Sequence, residues 1–260
     1  MVKLIIICLL AGIGAGVSTG FAGLSAAVFI TPLLVSVLNV PVFEAIGVAL
    51  ASDTLASAIS AITYKKHGNI NLKGARWFLI TILAFTIIGT IAGYFVTATH
   101  VGNTVMNWWM VFMELVLGIS FIIKPERKQN ENSFLSKIKN IAIILCGIYI
   151  GFVCGFQGAG GGLMMLFTLT IVAGYEFKTA VGTSVFMMTF TALIGAASHF
   201  IMRGVPDMKI LIITVIATFV SAYLAAIVAN KVSNKVLGRI TGIMLVCTAI
   251  GILLLSPPSF

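Results

Sequence analysis

The chain has 260 residues, of which 60% are hydrophobic and 9% charged, with a mean hydropathy of +1.14 and a formal net charge of +9. Soluble domains carry about 25% charged residues, so a water-facing surface is excluded, and apolar runs that are continuous rather than alternating exclude a β-barrel. Most of the sixteen basic residues cluster in short polar gaps between apolar segments, the pattern that sets membrane orientation and meets lipid headgroups, so no nucleic-acid partner is expected.

Apolar segments fall at about 3–38, 41–64, 77–97, 105–123, 138–174, 178–202, 208–229 and 236–255, against roughly 20 residues needed for one helical crossing. The first opens with Lys3 and the run Leu4 to Leu10, as a signal peptide does, but the same stretch recurs later in the chain and argues against removal. Segments 3–38 and 138–174 are overlong: as straight helices each would reach about 54 Å, far beyond the roughly 30 Å hydrocarbon core. Each must tilt strongly, break, or fold back as a hairpin.

The polar gaps carry the orientation signal. Lys65, Lys66, Lys73 and Arg76 lie in the 64–76 gap, Lys124, Arg127, Lys128, Lys137 and Lys139 in the 124–139 linker, and Arg203 and Lys209 in the 203–209 gap. If each long segment crosses once, these gaps and Lys3 share one side, cytoplasmic by the positive-inside rule, with Lys178, Lys231, Lys235 and Arg239 opposite. If the long segments return as hairpins, the terminal assignments flip and the basic gaps stay inside. Trp77, Trp108 and Trp109, near segment ends, read as interfacial belt residues. Cys8, Cys146, Cys154 and Cys247 sit in apolar runs without a CxxC pair and read as packing residues.

An internal repeat is the strongest pattern. At a shift of 135, Gly12, Gly16, Gly20, Phe21 and Gly23 fall on Gly147, Gly151, Gly155, Phe156 and Gly158. Ala45, Gly47 and Thr54 meet Ala180, Gly182 and Thr189, and with one inserted residue Gly68 and Lys73 meet Gly204 and Lys209. The expected fold is an all-α polytopic membrane protein, one membrane domain over 1–260. It comprises repeat 1 (1–123), the polar linker 124–139 and repeat 2 (140–260). Each repeat has about four hydrophobic segments, the first of them overlong and glycine-broken or re-entrant.

Candidate site residues follow from what is costly in an apolar helix. Glycines cost about 1 kcal/mol each relative to alanine, yet Gly20 and Gly23 in one half and Gly155, Gly158, Gly160 and Gly161 in the other sit inside the overlong segments. A broken helix there would offer free N–H groups and a positive half-helix end near the midplane; close small-xxx-small packing is the competing reading. Asp53 and Glu114 lie mid-segment, where an ionised carboxylate must be protonated, paired or hydrated. Neither has an acidic counterpart in the second half, since Asp53 aligns with Met188 and Glu114 falls near Cys247, which suggests a coupling role. With no lysine or arginine at mid-membrane, an anion would be held by N–H groups and by Ser25, Ser52, Gln157, Thr183 and Ser184. Single hydroxyls of this kind usually bond their own backbone. His199 and Arg203, one helical turn apart near the inner face, suit a gate or an interfacial anchor. The three histidines lie in loops or at an edge and no metal-ligand spacing occurs, so neither an enzyme nor a metal or other cofactor is expected.

The glycine-rich break followed by Thr31-Pro32-Leu33-Leu34 and then Ala45-x-Gly47 resembles the sulfite exporter TauE/SafE family. The second copy, Gly155-x-x-Gly158-Ala-Gly160-Gly161-Gly162 followed by Ala180-Val-Gly182-Thr183-Ser184, is similar to it more closely. The resemblance implies a multi-pass permease of the bacterial inner membrane with basic loops in the cytoplasm. Its partners would be membrane lipids and a small sulfur-containing anion such as sulfite, thiosulfate or an organosulfonate, exported in some members. The chain departs from the pattern at Leu24-Ser25-Ala26-Ala27, at Val48-Ala49, and at Phe167 in place of proline. The functional expectation is a secondary transporter, an exporter coupled to protons. A channel or a transporter for another small solute is the alternative, ahead of a membrane-embedded enzyme or an accessory protein.

Overall fold

The computed structural model describes residues 2–96, 100–123, 135–157 and 161–255. Among them every regular element is helical, as lipid demands of a backbone that must satisfy its polar groups internally. The order is α1 (Val2–Ala22), α2 (Ala27–Leu38), α3 (Val42–Lys66), α4 (Arg76–Val96), α5 (His100–Ile123) and α6 (Leu135–Gln157). There follow α7 (Gly162–Phe167), which continues as a π-helical turn Thr168–Val172, then α8 (Phe177–Arg203), α9 (Met208–Lys231) and α10 (Asn234–Leu255). Four helices are long and apolar enough to cross a membrane whole: those over Val2–Ala22, Glu44–Lys66, Phe177–Met202 and Met208–Lys231.

Both overlong segments break and return. A Cβ on Gly14 would lie 3.1 Å from the Phe29 ring, fifteen residues on, so α2 folds back along α1. The π-helical turn after α7 likewise packs against α6. Asn39, in the left-handed region at φ 54, ends α2 with its N–H on the Leu34 carbonyl, and Pro41 leads into α3.

Glycines at four-residue spacing share one helix face and let backbones approach closely. Gly12, Gly16 and Gly20 of α1 face, in that order, Ala217, Ser221 and Ala225 of α9, so the two helices run parallel; a Cβ at Gly12 would sit 2.7 Å from that of Ala217. Gly147, Gly151 and Gly155 of α6 face Thr81, Phe85 and Thr90 of α4, also in parallel. By contrast Gly47 faces Phe200 and Gly182 faces Tyr64, so α3 and α8 are antiparallel, as are α5 and α10 through Gly118 and Gly242. Hence α1, α3, α5 and α9 point one way and α4, α6, α8 and α10 the other.

These directions set the ends of the bundle. Lys65, Lys66, Lys73, Arg76, Lys178, Lys231, Lys235 and Arg239 gather at one end, while α1 starts, α8 stops and α9 starts at the opposite end, with Lys3, Arg203 and Lys209. This corrects the expected grouping. The return after α6 reverses everything downstream, bringing Lys178, Lys231, Lys235 and Arg239 to the basic end and taking the 203–209 gap away. The return after α1 moves Lys3.

Candidate functional site

Breaking a helix leaves carbonyls open on one side and N–H groups on the other. At the first break, Gly23 (φ +65) turns the chain, a conformation that only glycine adopts without strain. The Gly20 carbonyl accepts from the Tyr64 hydroxyl of α3 at 3.0 Å. The Thr19 hydroxyl donates to Ala15 and Leu24 carbonyls at 2.9 and 2.8 Å. On the far side, the Ala26 N–H donates to Asp53 Oδ1 at 2.5 Å, the Ser25 hydroxyl donates to Asp53 Oδ2, and the Ala27 N–H reaches Ser25 Oγ at 3.3 Å. Asp53, wholly buried at the middle of α3, thus seats its carboxyl group at the N-terminus of α2, where hydrogen bonding and the helix dipole both favour an acid. Ser57 donates to the Asp53 backbone carbonyl at 2.5 Å and accepts from Thr189 of α8 at 3.1 Å.

The second break is built from different groups. Gly161 (φ +66) packs on Cys154 Sγ and Ile150, and as the N-cap of α7 it has no side chain of its own to cap the first turn. Where the aligned first half has Asp53, the second has Met188, whose sulfur would lie 2.8 Å from a Cβ on Gly162.

The two breaks meet. A Cβ on Gly162 would collide with the Gly23 carbonyl oxygen, and one on Gly23 would sit 2.6 Å from Ser184 Oγ of α8. One junction between the halves therefore holds Gly23, Ser25 and Asp53 from the first and Gly161, Gly162, Ser184 and Met188 from the second.

The expected site residues are otherwise engaged as follows. Gly20 and Gly155 lie in the packing seams against α9 and α4, and Gly20 also offers its carbonyl to Tyr64 at the first break. Thr183 is taken up by the N–H of Asn71, which donates to it at 3.1 Å, and Ser184 donates to its own Val181 carbonyl at 2.8 Å. The Ser52 hydroxyl is buried without a hydrogen-bond partner. Glu114 belongs to the α5–α10 pair, accepting from Thr248 at 3.3 Å. Thr248 also lines an apolar cavity of about 280 Å³ between α2 and α10, with Phe29, Pro32, Leu33, Met244 and Cys247. His199 and Arg203 fall near the end of α8, at the opposite end from the basic loops. Gln157 ends α6, and Gly158 and Gly160 lie outside the described residues.

Sequence reasoning missed Tyr64, Cys154 and Met188 as members of the site. Tyr64 carried a signal: eleven residues after Asp53 it returns to the same face of α3, and a buried phenol needs a partner. Met188 carried one through the repeat, which sets it opposite Asp53 at a shift of 135; Cys154 carried none, being an ordinary apolar residue in an apolar helix. Among the described residues no group of three or more histidine, cysteine, aspartate or glutamate side chains could hold a metal.

A family model described as sulfite exporter TauE/SafE matches residues 8–252. The chain is 26% identical over 201 residues to "Probable membrane transporter protein YdhB" of Bacillus subtilis (strain 168), covering 76% of this chain and 79% of that one. It is 24% identical over 218 residues to "Probable membrane transporter protein YunE" of the same organism, covering 75% and 78%. To a "Probable membrane transporter protein" of Haemophilus influenzae it is 27% identical over 214 residues, covering 78% and 76%. No solved structure matches.

Proposed function

The chain belongs to the sulfite exporter TauE/SafE family of membrane transporters, and from that premise we propose a secondary transporter that moves a small sulfur-containing anion, with a proton, out across a bacterial inner membrane. The observation that carries the reading is the meeting of the two helix breaks beside the buried Asp53 carboxylate. The solute would sit at this junction, touching Gly23, Gly161, Ser184 and Ser25. Sulfite is the solute that the family's description names, and thiosulfate and small sulfonates share its anionic sulfur–oxygen chemistry.

Asp53 supplies the coupling. Two unit charges 4 Å apart interact by about 4 kcal/mol at an effective dielectric constant of 20, so an ionised Asp53 repels an anion at the junction and a protonated one admits it. Proton and anion then travel together. A sulfite dianion with one proton keeps a net negative charge, and an inside-negative potential drives it outward by about 2.3 kcal/mol per 100 mV.

Two halves of inverted topology are part of the proposal, forming one membrane unit with basic loops in the cytoplasm. The helices that the sequence alignment pairs run in opposite directions: α1 and α6, α3 and α8, α4 and α9, α5 and α10. The glycine seams are exchanged in the same way, α1 with α9 and α6 with α4.

Proteoliposomes loaded with radiolabelled sulfite, thiosulfate or a small sulfonate test the reading. Saturable flux of one of them towards the alkaline compartment is expected, and Asp53→Asn should bind the solute yet lose the response to the pH gradient. Asp53→Asn flux that follows the gradient as wild type does would remove the coupling role.

A further inference from the structure

We propose that the connection between α3 and α4, residues 67–75, is a gate that closes the basic end of the bundle, and that Tyr64 is the positioning residue tying it to the first helix break. The inference rests on the junction of the breaks being the solute site.

The gate is stitched across the halves by neutral hydrogen bonds. Asn69 Nδ2 donates to Asn230 Oδ1 near the end of α9 at 2.6 Å. The Asn71 N–H donates to Thr183 Oγ1 near the start of α8 at 3.1 Å. The Tyr175 hydroxyl, ahead of α8, donates to the Asn71 carbonyl at 3.1 Å; burial pushes this phenol above its ordinary pKa, so it keeps the proton that it donates. Within the second half, the Lys178 ammonium donates to the carbonyl of Asn230 at 2.9 Å and so steadies the partner of Asn69. The loop lies close enough for a Cβ on Gly182 to collide with the Asn69 carbonyl. The sequence alignment pairs this loop with 204–207 at the opposite end, and there the pattern differs. The Gly204 N–H donates to Phe200, and Asp207 accepts from the N–H groups of Lys209 and Leu211. Among the described residues all the hydrogen bonds of 204–207 stay within its own half. Hydrogen bonds across the halves thus run from 67–75 and, among the described residues, none from 204–207, the asymmetry of a bundle closed towards one side of the membrane.

Tyr64 serves both gate and break. Its backbone carbonyl accepts from the N–H groups of His67 and Asn69 at 3.2 and 2.9 Å, anchoring the start of the loop. Its side chain crosses to the Gly20 carbonyl opened by the break. A shift of the loop therefore pulls on the group that completes the site.

Native Cys154, packed on Gly161 at the second break, is a reporter of access. The full chain with Cys8, Cys146 and Cys247 replaced by alanine is reconstituted, and a membrane-impermeant charged methanethiosulfonate is added at the basic face. Slow modification is expected in this background. Asn69→Ala with Tyr175→Phe and Thr183→Val should raise the rate at least tenfold, and Tyr64→Phe should raise it with the melting temperature held within a few degrees. Tyr175→Phe alone, milder, serves if the triple variant does not elute as a folded protein. Equal rates with and without the substitutions, whether slow or fast, overturn the gate. In a second arm, Asn69→Cys and Asn230→Cys bridged by a short reducible bifunctional thiol reagent should stop sulfite flux, and a reductant should restore it; flux that persists when bridged overturns the gate. Changed Cys154 access together with no sulfite flux in the unbridged protein would keep the gate and reject sulfite as the solute.

Discussion

The two helix breaks solve one problem in two ways. At the first, side chains meet groups freed by the turn on both sides of it: Gly20 by Tyr64, Leu24 by Thr19, Ala26 by Asp53. At the second, Cys154 and Met188 stand in the corresponding surroundings, and the N-cap of α7 is Gly161, which has no side chain. The first break carries a buried carboxyl group of its own. The second is lined by Cys154 and Met188 and touches the first through Gly162. That difference puts the ionisable side chain at the first break.

The sharpest way to break the comparison is at the contact itself. Gly162→Ala drives a methyl into the Gly23 carbonyl, and forced overpacking costs about 1–3 kcal/mol or more; solute flux should fall below detection and the melting temperature should drop clearly in detergent. An unchanged melting curve would mean that the breaks can separate freely. Next is Asp53→Ala, which removes the acceptor for Ser25 and Ala26. Hydrogen bonds to a charged group contribute about 1.5–3 kcal/mol each, so stability should fall and flux should drop at least a hundredfold. If the first break is not held by this carboxylate, thermal unfolding will barely move.

Met188→Asp tests the same difference from the other side. It gives the second break an acid like the first, and the measured KM for the anion should rise at least tenfold at neutral pH and recover as the pH is lowered. The sign follows from charge: below its titration the new carboxyl is neutral and the repulsion is gone. A KM indifferent to this change would put the solute elsewhere. Ser184→Ala should matter least, by less than about threefold in KM, because its hydroxyl already bonds the Val181 carbonyl as isolated helix hydroxyls do. A larger loss would show that the hydroxyl turns to the solute during transport.

Much of this was legible in the chain itself. Segment lengths alone required that 3–38 and 138–174 tilt strongly, break or return, because the hydrocarbon core is about 30 Å thick, and the breaks fall where the glycines are. The cost of burying a charge singled out Asp53 before any contact was known. Other placements were not readable. Gly20 and Gly155 are spaced like Gly23, and only the neighbouring helix distinguishes a seam from a turn. Thr183 and Ser184 are adjacent in sequence, yet one is taken by a loop more than a hundred residues away and the other by its own helix.

The sequence by itself determined that the chain is helical, lives in lipid and carries a buried acid in one half only. These depend on composition, length and the energy of desolvation, which are local quantities. Tertiary structure decided that both long segments fold back, which end gathers the basic residues, and that Asp53 caps α2. Each of those depends on which helix lies beside which, and within an apolar chain many neighbours are equally greasy. Only the fit of glycine faces and the need to satisfy the groups opened at each break selects among them.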